Sequence, residues 1–351
     1  MPNLPSPGSA LVEHRTAFQD ALLAWYRREA RRLPWREAPS LYRTIVSEFM
    51  LQQTQVKTVL PYFARWMAEF PDFEALAAAP APRVLRLWEG LGYYARARNL
   101  HRLAQALVAL PAVPRTAAEW TDLPGIGPYT AAAVASIAGG EAVACVDGNV
   151  VRILARLTAD GTEFRDGVTA ARAFAALAGQ LVAESAPGDH NQAMMELGAT
   201  VCLRHQPLCL VCPVRTFCAG ARNGEPTAYP RLAAKAITRH EVVRVWCERK
   251  GALLLHRARA DARRLAGMHE LPTAEQAGIS EAAARRGTLL AAKKRGITRF
   301  RITESIHRAP GPRQPLAPGL AWVPLAEIET VTLSGPHRRW VREILAASST
   351  E

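Results

Sequence analysis

The sequence lacks any uninterrupted apolar run long enough to span a bilayer, which excludes a protein built on membrane-spanning helices. Its first residues, MPNLPSPGSA, do not follow the basic, apolar and small-residue order of a signal peptide, so residues 1–11 are expected to form a disordered tail. Repeats at solenoid periods and long low-complexity tracts are also missing. With 351 residues, 49% of them hydrophobic, the chain can bury a large core in two or three domains.

Acidic residues are in the minority, with 31 Asp and Glu against 44 Lys and Arg, which gives a net charge of +13 and a pI of about 10.0. A basic excess of this size favours a polyanionic partner. Nucleic acid fits better than a membrane surface, because no basic amphipathic helix with a strong apolar face stands out. The alternative is that abundant Ala and Arg reflect a GC-rich genome, so charge alone does not decide.

Cysteines are few, and four of the six crowd into the segment CLRHQPLCLVCPVRTFC. This crowding favours a metal site in a reducing compartment such as the cytoplasm over a disulfide framework. Zinc sites usually have two close pairs of ligands, whereas this segment has one close pair with a single cysteine on each side. An iron–sulfur cluster fits that spacing at least as well. The four candidate ligands are Cys202, Cys209, Cys212 and Cys218, while Cys145 and Cys247 are expected to be core or surface thiols.

The spacing of apolar residues predicts a mainly helical region at 12–219, with breaks at Pro- and Gly-containing strings. Residues 220–239 are rich in Gly, Pro and Lys and read as a linker. From 240 to 351, short β-like runs alternate with helical segments, which predicts a smaller α+β domain.

The string LPGIGPYTAAAVASIA predicts a sharp turn at Gly125, Ile126 and Gly127 followed by a helix. Two glycines allow a tight turn that exposes backbone amides at the helix start, where a phosphate can bind. An ordinary helix–turn–helix connection would also contain Gly-x-Gly, but the full string is typical of the helix-hairpin-helix motif.

Two carboxylates are candidates for catalysis. Glu48 lies in the string SEFMLQQTQV, within one helix-like run predicted from Leu41 to Phe63, and Asp147 lies just before another helix in VDGNVVRIL. Separately, each has an ordinary interpretation, because Glu48 could sit on a solvated face and Asp147 could be an N-cap. Together they match glycosidic cleavage, in which one carboxyl is protonated and the other is ionised. An apolar helix wall suits the protonated Glu48, and a helix start suits the anionic Asp147.

From about Trp25 to Ala219 the chain resembles the adenine DNA glycosylase (MutY) family of the endonuclease III, or helix-hairpin-helix, superfamily. The resemblance is carried by seven strings in the same order along the chain: LPWRE, SEFMLQQTQV, GLGYYARARNL, LPGIGPYTA, VDGNVVRILAR, NQAMMELGA and the four-cysteine segment. It implies excision of adenine mispaired with 8-oxoguanine or guanine in double-stranded DNA, after the base is flipped out of the duplex. It also implies a monomer with a [4Fe-4S] cluster on the four cysteines of 202–218.

The resemblance implies a role for each matching residue. Glu48 would protonate the adenine and Asp147 would stabilise the sugar cation. The other residues would line the catalytic pocket (Tyr129, Asn149), surround the extruded adenine (Arg31, Trp35, Arg36, Gln192), fill the space near the orphaned base (Leu51, Gln53, Tyr93) and bind the phosphate backbone (Gly125, Gly127).

The helix after the hairpin, YTAAAVASIAGG, contains no lysine. Glycosylases that also cut the strand place a Schiff-base lysine where this chain has Tyr129. The sequence therefore predicts a monofunctional glycosylase. Two competing hypotheses are a glycosylase for another base and a non-catalytic iron–sulfur DNA-binding protein. The pair of Glu48 and Asp147 argues against the second.

The C-terminal region resembles the Nudix-like domain of the same family through LAGMHELPT. No glutamate-rich helix of a Nudix hydrolase follows, so hydrolase activity is not expected. The family's 8-oxoguanine-reading loop is matched to FRITESIHR, where Glu304, Ser305 and Ile306 occupy its three positions and only Ser305 is retained. We therefore expect weaker discrimination of 8-oxoguanine from guanine, unless His307 replaces the missing histidine.

Overall fold

The computed structural model describes residues 7–234, 236–259, 261–262, 265–297, 299–312 and 315–348. The chain divides into two compact units. The first contains Met1–Phe63, Asp72–Ala77 and Arg102–Ala234, and the second contains Ala64–Pro71, Ala78–His101 and Lys235–Glu351. The division after Ala234 falls inside the predicted linker, and the predicted domain limits at 12–219 and 240–351 stay a prediction.

The elements are named in chain order. The helices are α1 (Pro7–Glu13), α2 (Arg15–Glu29), α3 (Pro34–Glu37), α4 (Leu41–Leu51), α5 (Val56–Glu69), α6 (Phe73–Ala78), α7 (Ala81–Leu87), α8 (Ala95–Ala109), α9 (Ala117–Thr121), α10 (Pro128–Ile137), α11 (Gly148–Thr158), α12 (Gly167–Leu181), α13 (Pro187–Thr200), α14 (Ala219–Arg222), α15 (Glu281–Arg285) and α16 (Gly335–Ser348). The strands are β1 (Glu163–Phe164), β2 (Arg231–Leu232), β3 (Thr238–Trp246), β4 (Glu248–Arg249), β5 (Ala252–Arg257), β6 (His269–Glu270), β7 (Leu289–Ile297), β8 (Phe300–Arg308) and β9 (Leu320–Pro324). The predicted fold class, mainly helical with a smaller α+β C-terminal part, is confirmed.

One hydrophobic core of the first unit is formed where α2, α11, α12 and α13 meet. Phe18 and Leu22 of α2 pack with Leu154 of α11 and Leu197 of α13, all of them almost fully buried. Apolar residues at helical spacing on each element turn toward this core, as the sequence pattern predicts. Within the described part of the chain, every helix is too short or too polar to cross a bilayer.

Helix α1 corrects the prediction of a disordered tail at residues 1–11. Residues 7–13 are helical, with Pro7 in the first turn, where its missing amide hydrogen is tolerated. Leu11 is buried in the core of the first unit, and this burial provides the tertiary contact that the Pro- and Ser-rich composition does not reveal. The rest of the predicted tail, residues 1–6, lies outside the described residues.

The segment between α4 and α5 corrects a second expectation. The sequence predicts one helix-like run from Leu41 to Phe63, but α4 ends at Leu51 and α5 begins at Val56. Gln53 has a φ of 55°, a left-handed conformation that ends the helix and that few non-glycine residues adopt. Gln52 donates a hydrogen bond of 3.3 Å to the Thr130 hydroxyl. The glutamines after Glu48 therefore belong to a turn and do not continue a helix face.

The described residues of the second unit form two small sheets. Strands β3, β8 and β7 form one in that order, with β3 parallel and β7 antiparallel to β8. Strand β5 pairs antiparallel with β4, β6 and β9 in the other. Their core contains Trp246, Leu255 and Ile306 and is covered by Trp340 and Ile344 of α16.

Strand β8 shows that the predicted 8-oxoguanine-reading loop is wrong in conformation. Glu304, Ser305 and Ile306 lie within this central strand, with Ser305 opposite Val243 on one side and Ala292 on the other. Backbone pairing on both sides fixes the segment as strand and points alternate side chains inward. These residues do not form a loop, and weaker discrimination of 8-oxoguanine from guanine stays a prediction.

Glu304 is a buried ion-pair partner in this strand. Its side chain is fully buried and accepts a 2.5 Å hydrogen bond from Nε of Arg244, and Arg295 is also paired with it. Removing one partner of a buried pair leaves the other charge without compensation, at a cost of about 3–5 kcal/mol. Glu304→Ala should therefore lower the free energy of unfolding of the second unit by roughly that amount, measured by urea denaturation.

A matched control is available in the exposed pair of Lys293 and Glu343, whose charged atoms lie 2.5 Å apart. Glu343→Ala should cost less than about 1 kcal/mol, because solvent screens exposed pairs. Equal costs for the two substitutions would contradict the assignment of Glu304 to a buried ionic core.

Candidate active site

A cavity of about 1060 Å³ opens in the first unit, between α4, the α9–α10 hairpin, the start of α11 and α13. Its walls contain most of the residues predicted from the sequence for DNA and base contact. These are Arg31, Trp35, Arg36, Glu48, Leu51, Gln53, Gly125, Gly127, Tyr129, Asp147, Asn149 and Gln192. Segments that are far apart along the chain therefore meet around one space.

Glu48 projects from α4 into this cavity, and only 8% of its surface is exposed. Burial is the main cause that raises the pKa of Glu48 to about 7, and the negative charge of Asp147 also raises it. The interaction with the Tyr129 hydroxyl and the positive charge of Arg36 lower this pKa in part. An acid with this pKa holds its proton at neutral pH about half of the time and can transfer it to a substrate.

Tyr129 lies in the first turn of α10 and faces Glu48. Burial and the nearby carboxylates Glu48 and Asp147 raise the pKa of its phenol far above the usual value, so the hydroxyl keeps its proton. The hydroxyl oxygen is also 2.9 Å from Sδ of Met195 on α13. Tyr129 therefore serves as a hydrogen-bond donor on the wall of the cavity.

Asp147 is the N-cap of α11, and its carboxylate only accepts hydrogen bonds. One oxygen accepts from the backbone amides of Asn149 and Val150, both at 2.8 Å, and the other accepts from the Asn149 side chain at 2.9 Å. Burial raises the pKa of Asp147 overall, although these hydrogen bonds and the charge of Arg152 offset part of that effect. The all-acceptor geometry is that of an ionised carboxylate.

Asn149 is held in place by α13. Its side-chain oxygen accepts a 2.8 Å hydrogen bond from Arg152, which also donates to the Gly198 carbonyl oxygen at 2.8 Å. Gly198 is required by this close approach, because a Cβ added there would lie 2.5 Å from Cβ of Asn149. Arg152 and Gly198 are supporting residues that the sequence analysis missed, and nothing in the spacing of a single sequence would single them out.

A buried ionic wall faces the two carboxylates. Glu196 of α13 is fully buried and accepts hydrogen bonds from Arg31 at 2.6 and 2.9 Å and from Arg36 at 2.9 Å. Although burial raises the pKa of Glu196, the hydrogen bonds from Arg31 and the charge of Arg36 lower it overall, so the carboxylate is ionised. Arg36 also donates to the Gln192 oxygen at 3.1 Å.

Glu196 is a charged cavity residue that sequence reasoning missed. A signal was present, because Glu196 follows Gln192 by four residues in NQAMMELGA and therefore shares its helix face. Trp35, which was predicted to lie near the substrate, packs edge-on against Phe63 with ring centroids 5.1 Å apart.

The hairpin has the backbone that its glycines predict. Gly125 has a φ of 78°, and Ile126 is buried and anchors the turn. Gly127 lines the cavity, is the N-cap of α10 and contributes no capping side chain, so the first-turn amides have no side-chain acceptor from the cap residue. A helix start of this kind is suited to a phosphate oxygen.

Tyr93 and Ser305 were predicted to belong with these residues, but both lie in the second unit. Tyr93 is 49% exposed in the loop before α8, and Ser305 is half-buried in β8. A role for either residue on DNA stays a prediction.

The four predicted ligand cysteines line one small cavity, together with Arg156, whose Nη1 donates a 3.2 Å hydrogen bond to Sγ of Cys202. Burial raises the pKa of Cys212 to about 12, with the other three thiols close enough to contribute. Among the described residues, no three His, Cys, Asp or Glu side chains are grouped closely enough to hold a single metal ion. Four thiols spread around a shared space suit a larger cluster better than a single ion.

The sequence matches known protein families over the same region. Residues 46–173 match the model of the HhH-GPD superfamily of base excision DNA repair proteins. The chain is 46% identical over 225 residues to a human protein named adenine DNA glycosylase, covering 61% of this chain and 41% of that protein. It is 40% identical over 208 residues to the adenine DNA glycosylase of Mycolicibacterium smegmatis, covering 58% of this chain and 70% of the relative.

Solved structures show a related fold. A thermostable thymine-DNA glycosylase aligns with a TM-score of 0.53 at 26% identity, covering 61% of this chain and 99% of the other. An endonuclease III in a non-covalent DNA complex aligns with a TM-score of 0.50 at 20% identity, covering 61% and 97% of the two chains, which shows the fold alone. The chain spans less than half the length of the mammalian relatives that it matches. The chain nevertheless covers 70% of the mycobacterial adenine DNA glycosylase at 40% identity and has the related fold. It therefore belongs to the adenine DNA glycosylase family.

Proposed function

We propose that the protein is an adenine-specific DNA N-glycosylase that acts in base excision repair on adenine mispaired with 8-oxoguanine or guanine. The observation that carries this proposal is the shared cavity of Glu48 and Asp147, in which one carboxyl has a pKa raised to about 7 and the other only accepts hydrogen bonds. Two carboxyl groups in unequal environments are the requirement for acid-assisted cleavage of a glycosidic bond.

In this mechanism, the carboxyl of Glu48 donates its proton to an imidazole nitrogen of the flipped adenine. The electron pair of the glycosidic bond leaves with the base, and a cation with oxocarbenium character forms on the sugar. The negative Asp147 stabilises that cation, and water then adds to the sugar carbon while the ionised Glu48 takes up the released proton. The chain ends the cycle in its starting state.

The ionic wall supports selection of adenine. The buried, ionised Glu196 holds Arg31 and Arg36 at fixed positions, and Arg36 donates to the oxygen of Gln192, which lines the cavity. Adenine presents an exocyclic amino donor beside a ring-nitrogen acceptor, and Gln192 can satisfy both kinds of group.

The protein is also proposed to lack strand-cleaving activity. The position of the Schiff-base lysine in bifunctional relatives is occupied by Tyr129, whose buried phenol keeps its proton because burial and the nearby Glu48 raise its pKa. A phenol cannot form an imine with the sugar, so the chemistry stops at an abasic site.

Cys202, Cys209, Cys212 and Cys218 are proposed to hold a [4Fe-4S] cluster, because their thiols surround a single cavity and Arg156 donates to Cys202 in compensation for thiolate charge. When bound, the cluster would tie α13 and α14 to the intervening loop. The exposed Arg204 and Arg215 of that loop would then be available to DNA phosphates.

The test is a single-turnover assay on duplexes with adenine opposite 8-oxoguanine, guanine or thymine, and with thymine opposite guanine. Adenine release is expected from the first two and not from the others, without a covalent enzyme–DNA product on borohydride treatment. Visible absorption and iron and sulfide content of the same preparation report the cluster. Release of thymine in preference to adenine would assign the protein to another glycosylase branch, and absence of any base release would favour a binding protein.

A further inference from the structure

The loop at residues 88–94 of the second unit has an unusual backbone. Gly90 and Gly92 have φ values of 105° and 71°, and the aromatic Tyr93 between α7 and α8 has a φ of 47°. Leu91 and Tyr94 are buried, whereas Tyr93 is half exposed. A bulky residue keeps a left-handed conformation only where its surroundings impose it, so the contacts of this loop indicate how Tyr93 is displayed.

One set of contacts comes from α8. Arg96 donates to the carbonyl oxygens of Leu91 at 3.2 Å and Gly92 at 3.3 Å, and its guanidinium lies 5.3 Å from the ring centroid of Tyr93. Trp88 donates to the same Gly92 oxygen at 3.0 Å. These bonds hold the loop closed and place a cation against the Tyr93 ring.

A second set comes from α16, about 250 positions later in the chain. Arg338 donates to both carboxylate oxygens of Glu89, at 2.5 and 3.3 Å, and both side chains are largely buried. The same guanidinium donates to the carbonyl oxygens of Ile328, at 2.5 Å, and Val331. Arg338 is therefore fixed within the C-terminal fold, and through its bidentate contact it fixes Glu89.

Backbone contacts reinforce this attachment. The guanidinium of Arg86 in α7 donates a 2.7 Å hydrogen bond to the backbone carbonyl oxygen of Thr330. Gly335, the first residue of α16, lies close to Gly90. A Cβ atom added at position 335 would be 3.5 Å from Cα of Gly90, which is van der Waals contact. The loop is thus held from one side by α8 and from the other by residues 328–338.

We propose that Glu89 and Arg338 are positioning residues that hold the 88–94 loop so that Tyr93 is presented to the duplex beside the orphaned base. This inference rests on the proposed glycosylase function and on the predicted contact of Tyr93 with DNA beside the orphaned base. The C-terminal part of the chain then has a role in adenine excision, because its residues set the conformation of the loop that precedes α8. This role does not require the C-terminal part to read a base.

The experiment uses Glu89→Ala in the full chain, because an Arg338 substitution would also release the carbonyl groups that Arg338 holds. Amide hydrogen exchange at residues 90–93 is expected to accelerate at least about tenfold, since the ion pair no longer closes the loop. Single-turnover release of adenine opposite 8-oxoguanine should fall about tenfold, the effect of a misplaced positioning group. The control is Arg342→Gln, one turn further along α16, which loses an exposed pair with Glu329 and should change neither quantity.

A double-mutant cycle with Tyr93→Ala separates positioning from general stability. If Glu89 acts through Tyr93, Glu89→Ala should have little further effect on the rate in the Tyr93→Ala background. Additive losses, or unchanged exchange at 90–93, would overturn the proposal. If the unaltered protein releases no adenine, the proposed function fails, whereas the exchange measurement still decides whether the pair holds the loop.

Discussion

Substituting Asp147 by Asn should reduce adenine release by about 10³-fold, because the variant no longer places a negative charge beside the sugar cation. Asn caps a helix about as well as Asp, so the hydrogen bonds from the amides of Asn149 and Val150 can be kept. The melting temperature should therefore change little. Single-turnover rates at saturating enzyme, together with thermal unfolding, measure both quantities.

The chain provides a matched control for this substitution. Asp166 is also an N-cap, on α12, where it accepts hydrogen bonds from the backbone amide and the hydroxyl of Thr169 at 2.8 and 2.9 Å. Asp166→Asn makes the same chemical change outside the cavity and should leave the rate unaltered. If Asp147→Asn were as active as Asp166→Asn, Asp147 would be a structural cap and the two-carboxylate mechanism would be wrong.

Replacing Glu48 by Gln should lower the rate by about 10²–10⁴-fold, because a glutamine cannot transfer a proton to the departing base. The pH dependence of the unaltered enzyme should show the same group. Its pKa is raised to about 7, so the rate should be level below that pH and should fall about tenfold per unit above it. Two changes are expected in Glu48→Gln. Most of the rate is lost, and the rate that remains no longer declines above pH 7.

The same pKa predicts a cost in stability. Glu48 ionises in the unfolded chain near its ordinary value of 4.5, but in the folded chain only near 7. The unfolded state therefore binds fewer protons between these values, and the stability contributed at this site falls as the pH rises through that window, by about 3 kcal/mol. Above pH 7, Glu48→Gln should be more stable than the unaltered protein by an amount of this order, measured by urea denaturation at several pH values. Equal stability of the two proteins at pH 5 and at pH 8 would contradict the burial of an ionisable carboxyl at this position.

Several parts of the site could be read from the sequence because they depend on residues that are close along the chain. The Gly125–Gly127 turn is specified by its own backbone requirements, and the structure gives it the expected positive φ at Gly125. The N-cap of α11 is likewise local, since Asp147 accepts from amides two and three residues later. Cysteines within a short segment also indicate a shared site before any fold is known.

Other parts could not be read from the sequence, because competing tertiary contacts decided them. Residues 41–63 have helical periodicity throughout, yet the chain breaks at 52–55 and directs Gln52 toward Thr130. Strand pairing of Ser305 with β3 and β7 overrode a motif-based expectation of a loop. Glu196 looked like one more helix residue until Arg31 and Arg36 were brought against it.

The sequence alone predicts the helical character of the first part of the chain, the hairpin, the cysteine segment and the two candidate acids, since these predictions rest on local backbone preferences and residue chemistry. Only the tertiary structure decided that Glu48 is buried enough to hold a proton near neutral pH, that Glu196 is ionised, and that Arg338 reaches Glu89. The physical reason is that desolvation and charge pairing depend on which distant segments exclude water from a group, and a single sequence does not specify that exclusion.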